Sequence, residues 1–114
     1  MNINIKSTNL DLTPSVKKYI NVRIGSLSRF LKRFETKSEV IIFMEIARTT
    51  KHHHKGNIFR AEANLSLGKK ILRAEHLDLN IRAAIDKVED KLKREIKKYK
   101  EQKILSRKPK KITE

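Results

Sequence analysis

Residues 57–76, "NIFRAEANLSLGKKILRAEH", decide the fold of this chain. Along residues 57–67 apolar and polar side chains alternate strictly, which is the pattern of a strand with one buried face. Gly68 and Lys69 then suit a two-residue turn with glycine in the first central position. The pattern therefore predicts a β-hairpin, with its second strand at residues 70–76. The predicted inward side chains of the first strand are Phe59, Ala61, Ala63, Leu65 and Leu67.

Two further strands and a helix precede this hairpin. Residues 38–48, "SEVIIFMEIAR", are rich in β-branched and aromatic side chains, which favours a central strand. Residues 1–7 alternate in the same way as the hairpin and predict a half-buried strand. Between them, Thr13 is a suitable N-cap, and Pro14 suits the first helical position. Apolar residues at helical spacing extend the predicted helix to about Phe34, despite the small cost of Gly25.

A second helix follows the hairpin and begins near Asn80. Its apolar residues form a single stripe: Ile81, Ile85, Val88, Leu92, Ile96 and Tyr99. After Lys103 the helical periodicity is lost, and a proline stands among cations. We therefore predict one domain over residues 1–103 and a mobile basic tail over residues 104–114.

The predicted order is strand, helix, strand, strand, strand, helix. A helix between the first two strands implies a parallel pair, and the short later links imply antiparallel hairpins. Each helix has one apolar stripe, and both stripes can be buried on the same face of the sheet. The fold class is therefore α+β: a β-α-β-β-β-α two-layer sandwich in which two helices cover one face of a four-stranded sheet.

Composition limits the class of protein. The chain has 114 residues and a net charge of +15, so an anionic partner is the first hypothesis. It has no cysteine, which excludes disulfide scaffolds and thiolate sites and fits the cytoplasm. The first ten residues lack the pattern of an export signal, and no apolar run is long enough to span a membrane.

The positive charge is concentrated towards the end of the chain. Lys87, Lys91, Arg94 and Lys98 recur at spacings of four, three and four, which places them in one row on a helix, and no acid shares that row. We call these four residues the ridge and predict that it faces solvent. Residues 91–111 contain eleven Lys and Arg against two Glu, a net of +9. Further cations on the first helix, at Lys18, Arg29, Lys32 and Arg33, are expected to lie beside the ridge.

Catalytic and metal sites find little support. Residues 52–54, "HHH", are consecutive and diverge on an extended loop, so we predict a polar loop and no metal site. The sequence contains no nucleophile elbow, phosphate-binding loop or dinucleotide fingerprint. Asp86, Glu89 and Asp90 are interpreted as exposed carboxylates, with Glu89–Lys93 and Asp90–Arg94 as ordinary ion pairs along the helix. We therefore expect neither an enzyme nor a cofactor.

Phosphates are the natural counterpart of the ridge, because Lys and Arg release condensed counterions when they neutralise them. Aromatic residues make up only 5% of the chain, so the open sheet face should lack a stacking platform for single strands. Folded RNA is therefore the expected partner. A membrane surface is less suitable, because the apolar stripes of both helices are needed to cover the sheet. A hydrolase acting on nucleic acid is a further alternative, but it would require a carboxylate cluster or a metal site, and the sequence predicts neither.

Three segments resemble the short ribosome hibernation promoting factor and ribosome-associated translation inhibitor family of bacteria. They are "MNINIKSTNLDLTPSVKKYI", "ILRAEH" and "RAAIDKVEDKLKREIKKYK". The resemblance covers about residues 1–100, and it implies the same β-α-β-β-β-α fold. It also implies a non-enzymatic, cytoplasmic protein that binds the small ribosomal subunit and its 16S rRNA in the messenger and transfer RNA channel. Such a protein blocks translation and preserves idle ribosomes under stress.

The resemblance also indicates which residues bind RNA. They are Lys87, Lys91, Arg94, Lys97 and Lys98 on the last helix, and Arg23, Arg29 and Lys32 on the first. Arg82 stands where the family often has a tyrosine, and we include it as a further cation. Because the chain ends at Glu114, we expect no second, dimerising domain and a monomeric protein.

Two questions stay open at this point. Short members of the family either help a partner protein to pair ribosomes or keep single ribosomes inactive, and the tail does not decide between these roles. The alternative function is a general structured-RNA-binding protein without ribosome preference.

Overall fold

The structure, a computed structural model, describes residues 1–49 and 58–107, with side chains up to Lys103. Its strands form one four-stranded sheet in the order β1-β2-β3-β4. The strands are β1 (Asn2–Thr8), β2 (Val40–Thr49), β3 (Ile58–Leu67) and β4 (Lys70–Asp78). β1 pairs with β2 in parallel, and the other two pairs are antiparallel. The predicted α+β class and strand pairing are confirmed.

The β3–β4 turn forms at the predicted place. Leu67 pairs with Lys70 across a two-residue turn, and Gly68 has a φ of 63°. Only glycine adopts this left-handed conformation without a steric penalty, so the residue that signals the turn in the sequence also permits its geometry.

The first helical region is not the continuous helix to Phe34 that the spacing predicts. α1 (Pro14–Gly25) ends at the glycine, a 3-10 helix (Ser26–Phe30) follows, and α2 (Lys32–Glu35) is a single turn. Glycine is a weak helix former, and the backbone leaves the helical region at Leu31, with φ −116° and ψ 7°. The break bends the chain and still leaves the Leu31 side chain fully buried in the core.

α3 (Ile81–Arg107) begins where the sequence predicts. The Asn80 side-chain oxygen accepts hydrogen bonds from the backbone N–H groups of Arg82 and Ala83, at 2.9 and 3.0 Å. This satisfies two of the donors that a helix start leaves free. The helix passes the predicted domain boundary at Lys103 and reaches Arg107. Residues 108–114 and the histidine loop at residues 52–54 lie outside the described residues, so the mobile tail and the polar loop stay predictions.

The core lies between the sheet and the helices. α1 contributes Ile20 and Ile24, α3 contributes Ile85 and Leu92, and the sheet contributes β2 and β3 side chains such as Ile42 and Leu65 to the same cluster. Both helices therefore cover one face of the sheet, as predicted. The opposite face is open, and the charges of the molecule divide between these two sides.

Candidate nucleic-acid interface

The ridge is exposed along its whole length. Lys87, Lys91, Arg94 and Lys98 all face solvent, as predicted, and so does Lys97 beside them. At about 100° per residue the four ridge residues occupy an arc of about 60° on the helix. Among the described residues, none of the four makes an ion pair. Four positive charges therefore stand in one row without a counterion in the part of the chain that the structure describes.

Lys91 differs from the other ridge residues. Its Nζ donates a hydrogen bond to the backbone carbonyl of Glu75 on β4, at 2.8 Å, and lies 3.4 Å from Nδ1 of His76. Lys98 lines a small cavity with Lys70, also on β4. The ridge therefore runs along the flank of α3 that faces β4. Arg29 lies instead at Phe30 with Lys93 and Lys100, so the expectation that it stands beside the ridge is wrong.

The flank of α3 that faces α1 carries the carboxylates. Glu89 is only 7% exposed, and its Oε1 lies 3.1 Å from Nη2 of Arg23. Asp86 accepts hydrogen bonds from Nε of Arg23, at 2.9 Å, and from the hydroxyl of Tyr19, at 2.6 Å. Glu89 is thus not the exposed carboxylate that the sequence suggested, whereas Asp86 is 39% exposed and is paired with α1.

This network shifts two pKa values. The hydrogen bond to Asp86 raises the pKa of Tyr19 above its ordinary value, because ionising the phenol would place two negative charges together. The negative charge of Glu89 raises the pKa of Arg23. Neither predicted ion pair along the helix, Glu89–Lys93 or Asp90–Arg94, forms within the described part of the chain. Glu89 does not pair with Lys93 because packing turns its side chain towards α1, where Arg23 is its partner.

Arg23, which the resemblance implied as an RNA-binding residue, is paired with carboxylates of α3 and keeps 43% of its side chain exposed. Its guanidinium is shared between two carboxylates, and this interaction ties α1 to α3. Arg82 stays on the surface: its guanidinium lies 5.3 Å from the centre of the Tyr19 ring, and Nη2 donates to the hydroxyl of Ser15 at 3.3 Å. Arg82 remains accessible while its position is fixed.

Three cations converge on Phe30 in the 3-10 helix. The guanidinium of Arg29 lies 4.9 Å from the ring centre, and Nζ of Lys93 and of Lys100 lie at 5.9 and 5.8 Å. Such distances are typical of cation–π contacts. Lys93 and Lys100 are not among the residues predicted to bind RNA. Their spacing of two helical turns was visible, but Phe30, their partner, is far away in sequence. Lys32 is exposed in α2, close to this group in the chain.

The open face of the sheet has a different electrostatic character. Glu45, Glu62 and Glu75 stand side by side on β2, β3 and β4. Nη2 of Arg60 lies 3.0 Å from Glu62 and 2.8 Å from Glu75, and Nη1 lies 3.6 Å from Glu45. Burial lowers the pKa of Arg60, but the hydrogen bond with Glu75 and the charge of Glu62 outweigh this effect and raise it.

Two more cations complete this face. Arg73 contacts Glu62, and Lys6 lies opposite Glu45 in the register of β1 and β2. Three carboxylates thus stand against three cations, and the face is neutral in sum. Its exposed aromatic residue is Phe43, which is 49% exposed. The ridge on α3 is therefore unpaired among the described residues, whereas the sheet face offers little to a polyanion.

Metal and membrane sites receive no support from the described residues. Within residues 1–49 and 58–107, no group of three or more His, Asp and Glu side chains is placed to hold a metal ion. No described helix has both the length and the apolar character needed to cross a membrane.

Comparison with known proteins identifies the family of this chain. The sequence model of the family described as "Sigma 54 modulation protein / S30EA ribosomal protein" matches residues 3–104. The chain belongs to this family. A ribosome hibernation promoting factor of Azotobacter vinelandii is 32% identical over 104 residues, which are 91% of this chain and 87% of that protein.

Other relatives in the family are longer. A ribosome hibernation promotion factor of Lactococcus lactis subsp. cremoris is 31% identical over 93% of this chain. One of Picosynechococcus is 29% identical over 89% of it. The chain spans about half the length of these two proteins, 52% and 50% respectively.

Solved structures share the fold. The crystal structure of the Thermus thermophilus Protein Y N-terminal domain has a TM-score of 0.69 at 24% identity. The match covers 87% of this chain and 99% of that one. A ribosomal subunit interface protein from Coxiella burnetii also has a TM-score of 0.69, at 17% identity, and the match covers 88% of this chain and 98% of that one. At these identities the likeness concerns the fold.

Proposed function

We propose that this chain is a ribosome hibernation factor that acts in the cytoplasm by binding and not by catalysis. Its relatives in the S30EA family carry that name. The observation that carries the proposal is the division of charge: an exposed cationic ridge on the helical side and a neutral sheet face on the other. RNA is a polyanion, so it should bind the basic side of such a protein and not the neutral side.

The proposed partner is the small ribosomal subunit, bound through its 16S rRNA. Lys87, Arg94 and Lys98 would contact phosphates, because they are exposed and have no counterion among the described residues. The distance from Lys87 to Lys98 along the axis is about 16 Å at 1.5 Å per residue, enough for several phosphates of a folded RNA. Phosphate contacts fix the position of a protein on RNA without reading its sequence.

Inhibition would follow from occupancy. A rigid domain held in the messenger and transfer RNA channel excludes both ligands, and no bond is made or broken. Arg82 and the cations around Phe30 would extend the contact along the α1 side, since they are also exposed or partly exposed. The proposed set of RNA-binding residues is completed by Lys91, Lys97 and Lys32. Arg23 would act indirectly, by holding the two helices in their relative position.

The test is co-sedimentation with purified small subunits. The variant K87Q/R94Q/K98Q removes three ridge charges that make no ion pair among the described residues, so the fold should be kept. It should bind at least about tenfold more weakly, since each phosphate contact contributes to affinity. The matched control K6Q/K17Q/R48Q removes the same charge from positions outside α3. It should retain most of the binding.

Two results would contradict the proposal. Equal loss of binding in both variants would mean that net charge and not the ridge matters. Undiminished binding of the ridge variant would exclude the ridge as the interface. Inhibition of translation in a cell-free system should follow the same order as binding.

The second candidate is a general binder of structured RNA. The ridge favours this function as well, because phosphate contacts alone carry no sequence information. Competition distinguishes the two functions. An excess of bulk transfer RNA should displace a general binder from small subunits, whereas a hibernation factor should remain bound.

A further inference from the structure

A second basic feature lies at the end of the molecule where α2, the β3–β4 turn and the last turns of α3 meet. It is an open cleft of about 480 Å³. Its lining includes Phe34, Tyr99, Lys37, Lys69, Lys70 and Lys103, and no acidic residue belongs to the described lining. None of these residues belongs to the ridge.

The floor of the cleft is aromatic. The rings of Phe34 and Tyr99 are 5.7 Å apart between centres and inclined by 32°. Both rings are half-buried and pack against the hydrophobic core, which fixes their position. Nζ of Lys103 lies 5.6 Å from the centre of the Tyr99 ring. The cleft therefore presents a fixed apolar surface with a cation beside it.

The rim is cationic. Lys37, Lys69 and Lys70 are all exposed, and within the described residues none of them makes an ion pair. The positive φ of Gly68 fixes the turn that carries Lys69. Like charges gathered at one rim repel each other, and an anion bound between them would relieve this repulsion.

The geometry points to a nucleotide site in this cleft. A base would stack on Tyr99 beside Phe34, and its phosphate would lie among Lys37, Lys69 and Lys70. An aromatic surface beside cations is the combination with which proteins hold unpaired nucleotides, whereas phosphate alone needs only the cations. The volume lies within the range of small-molecule sites.

The nucleotide could come from two sources, an unpaired nucleotide of an RNA or a free mononucleotide. The first source has structural support, because Lys98 at the end of the ridge and Lys70 of the cleft line a neighbouring cavity. An RNA strand on the ridge would thus reach the cleft. The site does not depend on the ribosome, so it stands or falls separately from the proposed function.

The experiment is an NMR titration of the full chain with AMP, with a short oligoadenylate and with inorganic pyrophosphate. AMP or the oligoadenylate should shift the ring signals of Tyr99 and the amides of Gly68 and Lys69 in a saturable way. Saturation by AMP indicates a free nucleotide, and saturation by the oligoadenylate alone indicates RNA. Pyrophosphate should bind more weakly and leave the ring signals in place.

Four variants separate stacking from charge. Tyr99→Phe keeps the ring and should bind AMP or the oligoadenylate as tightly as the unaltered protein does. Tyr99→Leu keeps apolar packing but should bind about tenfold more weakly. K69Q/K70Q should also weaken binding, and it changes only exposed side chains. The matched control K17Q/K18Q, at the far end of α1, should have no effect.

Two results overturn the nucleotide site. Equal affinity for AMP and pyrophosphate, unchanged in Tyr99→Leu, would reduce the cleft to a phosphate site. Shifts at neither Tyr99 nor Gly68 with any of the three probes would exclude a ligand there. If Tyr99→Leu does not fold, the comparison of AMP with pyrophosphate and the K69Q/K70Q variant still decide.

Discussion

Glu89 is a charged side chain at a position where a helix usually places an apolar one. It is almost fully buried, and the guanidinium of Arg23 neutralises it. A buried charge is tolerated only with such a partner, and removing one partner leaves the other uncompensated. The pair therefore fixes the contact between α1 and α3 more specifically than apolar packing alone would.

Glu89→Ala tests this role. We expect a loss of about 2 kcal/mol in the free energy of unfolding, since the variant removes one of the two carboxylates that contact Arg23. Asp90→Ala is the matched control, because Asp90 is exposed and makes no ion pair among the described residues. It should change stability by less than about 0.5 kcal/mol. Urea unfolding monitored by circular dichroism gives both values, and equal effects would contradict the structural role of Glu89.

Tyr19 makes the stability of the folded protein depend on pH in the alkaline range. Its pKa is raised above 10.0 in the folded state by the hydrogen bond to Asp86, and the unfolded chain ionises at the ordinary value. The stabilisation from this bond is thus fully present below about pH 10 and is lost as pH rises through the raised pKa. Tyr19→Phe lacks the bond at every pH.

The stability difference between the original chain and Tyr19→Phe should therefore shrink as pH rises. Urea unfolding of both proteins at about pH 8 and about pH 11 measures it. Comparing the two proteins cancels the effect of lysine deprotonation, which both share. A difference that stays constant over this pH range would show that the Tyr19 hydroxyl does not stabilise the fold through its hydrogen bond to Asp86.

α3 is the element on which both the core and the charges depend. One side of it is buried, one flank holds Arg23 through carboxylates, and the other flank carries the ridge. Packing of the buried stripe sets the direction in which the ridge points, and a fixed helix start keeps the first turn from fraying. Asn80 fixes that start with two hydrogen bonds.

Asn80→Ala should lower the free energy of unfolding by about 1 kcal/mol, since it removes the cap. Asn80→Ser keeps a side-chain acceptor and should restore most of this stability. Thermal unfolding measures both variants. The helix should fray at its start in Asn80→Ala, which faster hydrogen exchange of the Arg82 and Ala83 amides would detect. Unchanged exchange would mean that packing alone holds the first turn.

At the level of the domain, the important property is the separation of charge. The sheet face balances three glutamates with Arg60, Arg73 and Lys6, and the helical side carries the ridge. This separation orients the domain in the field of a polyanion before contact is made. It also explains how a chain with a net charge of +15 can have a neutral side.

Binding to small subunits should therefore weaken steeply with salt. If about six phosphates are contacted, the logarithm of the binding constant should fall with the logarithm of salt concentration at a slope of about −4. K87Q/R94Q/K98Q should reduce the magnitude of this slope by about 2, at about 0.7 for each contact. The control K6Q/K17Q/R48Q should keep the slope. Sedimentation at graded salt concentrations provides the measurement, and an unchanged slope in the ridge variant would argue against these contacts.

Some features of the fold and the site follow directly from the order of residues. The alternation along β3, the Gly68 turn and the spacing of the ridge are local patterns, and the structure has them where the sequence predicts. The continuous first helix is the exception. Local spacing predicts burial correctly at Leu31, but it does not detect that the backbone leaves the helical region there.

Other features depend on contacts between distant parts of the chain. Periodicity tells which side of a helix is buried, but not which neighbour lies on each flank. Arg23 and Asp86 are 63 residues apart, and the pairing of their elements brings them together. The same holds for Lys93 and Lys100 at Phe30, and for the row of glutamates on the open sheet face. The amount of charge can be read from the sequence, whereas packing decides which charges are neutralised and which remain for a partner.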